Sequence, residues 1–133
     1  MVYNGGGMME RWREWLKQAD YDMDTADAML ASGRNLYALF MCHLSVEKAL
    51  KALYEYRLRE VPPKTHNLLF LLGKIGIDPP QEIEKLPIRL NTLGVATRYP
   101  NDLDTMLRDY PEKRTAGIIS DAKGFVQWIK KQF

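Results

Sequence analysis

The sequence is poor in the residues that build metal centres, disulfides and covalent catalysts. Its 133 residues include one cysteine and two histidines. The single cysteine excludes an internal disulfide and fits a reducing cytoplasm. No CxxC or HExxH pair is present, so the standard zinc motifs are missing, as are the Glu-x-x-His pairs of a di-metal helical bundle. We therefore predict no metal and no cofactor.

Phosphate-binding loops and membrane segments are missing as well. The sequence contains neither GxxxxGK[ST] nor GxGxxG, which excludes both common phosphate cradles. No apolar stretch approaches the roughly 18 residues of a membrane span, and the first residues lack the basic start and apolar middle of a signal peptide. We expect a cytoplasmic protein without a membrane partner. Residues 1–8 are predicted to be a flexible tail, and residues 9–133 a single helical domain.

Helical periodicity extends along nearly the whole chain. Apolar residues in its first part, such as Trp12, Leu16 and Ala19, recur at spacings of four and three, which is typical of a helix with one buried stripe. No stretch has the alternation of a strand. We predict an all-α fold, an up-down antiparallel bundle of four main helices plus one short helix. The predicted helices span residues 9–31, 35–59, 67–75, 79–93 and 111–132.

Residues with strong end preferences set these boundaries. Gly33 suits the left-handed end of the first helix, and Asn35 can cap the second. Thr65 or Asn67 can cap the short helix.

The fourth helix has a predicted start at Asp78, with Pro79 at the first helical position and Gln81 reaching back. The segment from Gly94 to Tyr110 is predicted to be the longest irregular stretch of the chain.

Three polar residues interrupt an otherwise apolar helix. His43, Glu47 and Lys51 are spaced by four within the run from Leu36 to Leu58, so they lie in one row on one face. An unpaired buried polar group costs roughly 1–3 kcal/mol, so Glu47 is expected to pair with His43, Lys51 or Arg98. The row is either a structural hydrogen-bond network or the wall of a binding groove.

Residues outside this helix offer further ligand-binding groups. His66 precedes a helix start, where anions are favoured. Arg98 could supply a two-pronged donor for phosphate or carboxylate, or it could anchor its loop by pairing with Glu47 or an aspartate of the first helix. Tyr99 could stack on a base or cover the end of the bundle.

The order of these motifs resembles the HEPN domain, named for nucleotide binding in higher eukaryotes and prokaryotes. The similarity covers residues 9–132. The matching pieces are an opening helix with Ala19, Asp20 and Ala26, then His43-x-x-x-Glu47-Lys48-Ala49-Leu50-Lys51, Pro63-Lys64-Thr65-His66-Asn67-Leu68, Arg98-Tyr99-Pro100 and a last helix with Trp128-Ile129. The resemblance implies a helical bundle that usually forms a homodimer.

Two subgroups of that family suggest different functions. One consists of metal-independent ribonucleases, which carry an arginine followed four to six residues later by a histidine. No histidine follows Arg98. Arg59 and His66 satisfy the spacing formally, with six residues between them, but a loop is predicted there. The other subgroup works beside a separately encoded minimal nucleotidyltransferase, often as half of a toxin–antitoxin pair.

The sequence therefore favours an accessory subunit that is not catalytic on its own. It would dimerise and bind a nucleotide or a minimal nucleotidyltransferase through a groove. The predicted groove residues are His43, Glu47, Lys51, His66, Arg98 and Tyr99. The alternative is a ribonuclease toxin acting on RNA, and a third possibility is a scaffold. The dimer is also predicted from an excess of large apolar groups, namely Trp12, Trp15, Tyr37, Tyr54 and Trp128.

Overall fold

A computed structural model describes the backbone of residues 5–99 and 102–133 and the side chains of residues 11–99 and 102–133. Within that part of the chain the fold is all-α, as predicted. Its helices are α1 (Gly5–Ala31), α2 (Asn35–Leu58), α3 (Leu68–Ile75), α4 (Leu86–Arg98), α5 (Leu103–Asp109) and α6 (Glu112–Lys130). Four of them are long and two, α3 and α5, are short.

Helix α2 lies at the centre of the bundle and contacts the other five helices. It runs antiparallel to α1, since Trp15 lies beside Glu55 and Asp22 beside Lys48. One apolar stripe of α2 forms a seam in the core of the bundle. Its members Leu39, Cys42, Val46, Ala49 and Leu53 are fully buried, and Tyr56 packs partly buried against them. A helix buried on nearly all sides holds any polar residue it carries in a fixed, dry position.

The helix ends agree with the sequence signals at some positions and differ at others. Gly33 has a φ of +77° after α1, which is the left-handed conformation that glycine allows. Asn67 caps α3, because its side-chain oxygen accepts hydrogen bonds from two backbone N–H groups of the first turn. The cap predicted at Asn35 is wrong. Arg34 is the N-cap of α2, and Asn35 donates through Nδ2 to the carbonyl of Tyr110 instead.

The predicted start of the fourth helix at Pro79 is also wrong. Residues 81–85 form turns, in which Ile83 N–H bonds to the carbonyl of Pro80, and α4 begins at Leu86. The reason is Pro87, which lies within the first two positions of α4. There its missing N–H costs nothing, whereas inside a helix spanning 79–93 it would break a hydrogen bond.

Most of the described residues between Gly94 and Tyr110 are helical, contrary to the prediction of an irregular stretch. Helix α4 continues to Arg98, and Asp102 caps the short helix α5 through its side chain. No residue of α5 is buried. Its apolar side chains Leu103 and Leu107 are 54% and 40% exposed.

Helix α1 begins at Gly5, and residues 1–4 of the predicted N-terminal tail lie outside the described part. None of the helices in the described residues combines the length and apolar character needed to cross a membrane.

Candidate functional site

Both histidines of the chain meet at one cavity. Its volume is about 370 Å³, and it lies between α2, α4 and the start of α3. The lining residues are His43, Thr65, His66, Asn67, Asn91, Gly94, Val95 and Arg98. The structure thus brings together three of the six residues predicted for the groove, from three separate segments.

A loop carries His66 back along α2. Helix α2 ends at Leu58, before Pro62 and Pro63, and proline cannot continue a helix. Asn91 of α4 holds the end of this loop, because its Oδ1 accepts from Leu68 N–H at 2.9 Å and its Nδ2 donates to Asn67 Oδ1 at 2.9 Å. The returning loop places His66 beside Glu47.

Glu47 is the centre of the polar network. Only 3% of the residue is exposed. Its Oε2 accepts from Lys51 Nζ at 3.0 Å, and its Oε1 lies 2.8 Å from His66 Nδ1. The predicted pairing of Glu47 with Lys51 is confirmed. Because a carboxylate only accepts, His66 donates through Nδ1, and its Nε2 is then an acceptor in the neutral ring and a donor in the protonated ring.

His43 lies deeper and has a different role. It is 1% exposed, and its Nε2 lies 2.9 Å from the carbonyl oxygen of His66, so Nε2 carries the proton and donates. Its Nδ1 lies 4.0 Å from Glu47 Oε1 and has no hydrogen-bond partner among the described residues. Burial lowers the pKa of His43 below its ordinary 6.5, although Glu47 acts in the opposite direction. The ring is therefore neutral at physiological pH.

Arg98 closes the cavity from α4. Its guanidinium lies 4.8 Å from the centre of the Phe40 ring, and its Nη1 donates to the carbonyl of Gly94 at 3.2 Å. The predicted pairing with Glu47 or an aspartate of α1 is absent from the described contacts. Both Glu47 oxygens already have partners. The remaining N–H groups of Arg98 can bind an anion.

The other predicted groove residues do not line this cavity. Lys51 is 7% exposed and lies behind Glu47. Tyr99 is 76% exposed at the end of α4 and lines a neighbouring cavity of about 450 Å³. Val95 lines both cavities, so the two adjoin.

Arg59 and His66, which formally have the ribonuclease spacing, do not come together as a site. Arg59 ends α2 with a φ of +57°, and its guanidinium lies over the ring of Tyr56. His66 is bonded to Glu47, three helical turns before Arg59. The residues between them form a loop, as predicted.

The cysteine thiol and the possible metal ligands among the described residues do not indicate a second site. Burial raises the pKa of the Cys42 thiol to about 12, with Asp27 adding to the effect, so it is not a thiolate nucleophile at neutral pH. Across the described residues, no three His, Cys, Asp or Glu side chains are grouped as metal ligands.

Sequence reasoning missed several lining residues. Asn91, Gly94 and Val95 lie on α4, which was predicted to end at residue 93. Asn91 acts on residues 23 and 24 positions away, and single-sequence periodicity carries no signal for such a pair. Asn67 and Thr65 were recognised as capping residues only.

Comparison with known proteins gives two solved structures of the same fold. One is TT1696 from Thermus thermophilus, with 25% identity, a TM-score of 0.79, and coverage of 94% of this chain and 100% of that chain. The other is ST0689, described as an archaeal HEPN homologue, with 25% identity, a TM-score of 0.73, and coverage of 91% and 96%. A search of curated proteins gives no match.

The family comparison covers the elements that build the cavity. The model of the HEPN domain matches residues 12–132. This range spans nearly the whole chain and includes α2, the His66 loop and α4. The resemblance found in the sequence is therefore confirmed, and the chain belongs to the HEPN domain family.

Proposed function

We propose that the cavity binds the phosphate of a nucleotide, with Arg98 and His66 as the groups that contact it. The observation that supports this is their placement on one cavity of about 370 Å³. Arg98 offers a permanently charged planar fork. His66 is 62% exposed at its side chain and is oriented through Nδ1 by Glu47. A permanent cation beside an imidazole that donates through Nε2 when protonated suits a phosphate monoester.

The neighbouring cavity is suited to the base of the same nucleotide. Pockets of about 300–1,000 Å³ hold small ligands, and the two adjoining cavities measure about 370 and 450 Å³. The second is mainly apolar in its lining and includes the exposed ring of Tyr99. An exposed aromatic ring can stack on a base, which is worth about 1–3 kcal/mol. Tyr99 would then have the binding role suggested by the sequence.

Binding without cleavage is favoured by the state of the two histidines. Metal-independent cleavage of RNA needs a base for the 2′-hydroxyl and an acid for the leaving oxygen. Only His66 of the two histidines is exposed; His43 is buried and bonded to a backbone carbonyl. One accessible imidazole supplies one of these roles.

A ribonuclease is the second candidate, and the Glu47–His66 pair is the observation in its favour. A carboxylate that holds a histidine by one nitrogen leaves the other as a base. His66 Nε2 would take the proton of a 2′-hydroxyl, whose oxygen would attack the adjacent phosphorus. The bond from phosphorus to the 5′-oxygen would break, and this oxygen would take a proton from another donor such as water. The other product would be a cyclic phosphate. Arg98 would stabilise the developing charge.

One paired experiment separates the two candidates. Calorimetric titration with AMP is expected to show saturable binding, and titration with adenosine much weaker binding, because the phosphate carries the interaction. Single-stranded and structured RNA incubated with the protein in EDTA are expected to remain intact. Equal binding of adenosine would contradict the phosphate site. Cleavage that is lost in both Arg98→Ala and His66→Ala, with folding intact, would establish the ribonuclease instead.

We also propose that the protein is a homodimer that associates through α5. This helix has seven residues and buries none of them, and so short a helix is marginal without packing. Leu103 and Leu107 lie one turn apart and line a cavity of about 410 Å³ with Tyr37, which is 61% exposed. Arg34 also lines this cavity, and Asp104 is an exposed residue of α5. Charges of both signs suit a two-fold interface.

The interface proposed here consists mostly of other residues than the five aromatic ones from which the sequence predicts a dimer. Of the five aromatic residues named there, Tyr54 is buried, the three tryptophans are half-buried and Tyr37 is exposed. Sedimentation velocity at tens of micromolar is expected to give a dimer for the wild type and a monomer for Leu103→Glu. Tyr21→Glu is the matched control, because Tyr21 is 73% exposed on α1. A monomeric wild type, or a dimeric Leu103→Glu, would contradict this interface.

The proposed protein partner is a separately encoded minimal nucleotidyltransferase, with this chain as half of a toxin–antitoxin pair. One support is the resemblance to the HEPN subgroup that works beside such an enzyme. The other is that this sequence lacks the transferase motif of paired aspartates after a Gly-Ser turn, so a separate chain would carry the transferase chemistry. Co-expression with an adjacent reading frame of that type is expected to give one complex on size exclusion. Separate elution of the two chains would count against the pair.

A further inference from the structure

One glycine of α4 lies directly against the buried histidine of α2. A Cβ placed on Gly94 would meet three atoms of the His43 ring, Cγ, Cδ2 and Nε2, each at 3.0 Å. Such an approach is tighter than nine in ten real Cβ contacts, so the ring would have to give by a few tenths of an ångström. The ring cannot shift without consequence, because its Nε2 donates to the carbonyl of His66 at 2.9 Å. Gly94 therefore sets the position of the His43 ring.

The contacts continue from this ring to the exposed histidine. His43 holds the backbone of residue 66, and the side chain of the same residue bonds to Glu47 Oε1 at 2.8 Å. Glu47 is in turn fixed by Lys51. The loop end is thus held at two points, by the ring of His43 and by the Asn91 amide.

The same glycine also contacts the cation of the site. Its carbonyl oxygen accepts from Arg98 Nη1 at 3.2 Å, one helical turn further along α4. Gly94 is 4 residues before Arg98 and lines the cavity itself. Gly94 therefore lies against the His43 ring, which supports His66, and it also accepts a hydrogen bond from Arg98.

We propose that His43, seated on Gly94, is a positioning residue that fixes the backbone of His66 so that its imidazole bonds to Glu47 and presents Nε2 to the cavity. This inference rests on the proposed function in that Nε2, which donates when the ring is protonated, is the nitrogen offered to the phosphate. His43 itself does not touch the ligand. Its neutral state fits this role, since Nε2–H donation to a carbonyl is retained without a buried charge.

The test is the tautomer of His66, which is independent of ligand. Long-range ¹⁵N–¹H NMR at about pH 8.5, where histidine side chains are neutral, distinguishes Nδ1–H from Nε2–H rings. The wild type is expected to show His66 with its proton on Nδ1. Gly94→Ala and His43→Leu are expected to lose this signature, because the loop end is displaced. His43→Gln is expected to keep it, since the glutamine amide can donate to the same carbonyl.

A matched control separates the effect of the contact at Gly94 from the general effect of replacing a helical glycine with alanine. Gly117→Ala places the same methyl group on an exposed helical glycine of α6, where a Cβ meets nothing within 4 Å, so the His66 signature is expected to be unchanged. AMP affinity is expected to fall about tenfold in Gly94→Ala, the effect of one hydrogen bond, and to be unchanged in Gly117→Ala.

The outcomes distinguish this inference from the proposed function. A wild type without the Nδ1–H signature overturns the inference, as does its persistence in folded Gly94→Ala or folded His43→Leu. If neither of these variants folds, loss of the signature in folded His43→Gln overturns it. Loss of the signature in the expected variants, with no AMP binding by the wild type, keeps the inference and rejects the proposed function.

Discussion

Replacing Glu47 with alanine is expected to lower the free energy of unfolding by about 3 kcal/mol. The physical reason is Lys51, which is 7% exposed and bonds to Glu47 Oε2 at 3.0 Å. Removing one partner of a buried ion pair costs roughly 3–5 kcal/mol, because the other charge remains in a dry place. His66 loses its partner as well, but its exposed ring can turn to water.

Urea unfolding measures this effect, with two informative controls. Glu14→Ala removes an exposed carboxylate that bonds to Gln18 on α1 and is expected to change stability by less than about 0.5 kcal/mol. The double variant Glu47→Ala with Lys51→Met removes both charges and is expected to recover much of the loss. A loss below about 1 kcal/mol in Glu47→Ala would mean that the network is hydrated.

The second large effect is expected for the cation of the cavity. Arg98→Ala is expected to weaken AMP binding about 30-fold, because hydrogen bonds to charged groups contribute about 1.5–3 kcal/mol. Arg98→Lys is expected to bind with intermediate affinity, since an ammonium keeps the charge and loses the planar fork. Arg89→Ala is the matched control on the same helix, where Arg89 is paired with Asp121 at 3.7 Å.

Calorimetry on the three variants decides this prediction. Equal losses in Arg98→Ala and Arg89→Ala would indicate a general effect of net charge. Unchanged affinity in Arg98→Ala would place the phosphate elsewhere.

The helical fold was predictable because its signals are local. The apolar stripes of α1, α2 and α6 and the cap at Asn67 each depend on residues within one or two helical turns. The row of His43, Glu47 and Lys51 was predictable for the same reason, since i and i+4 neighbours are fixed by helix geometry. The start of α4 was not, because Asp78 with Pro79 and Leu86 with Pro87 both offer a helix start.

The candidate site required tertiary information. His66 reaches Glu47 because a proline-containing loop turns back along α2, and nothing in the loop sequence fixes that direction. The role of Gly94 depends on the close approach of the His43 ring, which would lie 3.0 Å from a Cβ placed on Gly94. This approach leaves no periodic pattern in the sequence. Pairing with a carboxylate was one of the two roles considered for Arg98, but its guanidinium lies over Phe40, and both oxygens of Glu47 have other partners.

The central claim, that this cavity binds a nucleotide by its phosphate, is tested most directly by mapping the bound ligand on the chain. In an NMR titration of ¹⁵N-labelled protein, AMP is expected to shift the backbone amides of residues 65–67 and 94–98 together and saturably. Adenosine at the same concentrations is expected to shift them far less. Shifts confined to other helices, or equal shifts with adenosine and AMP, would contradict the account.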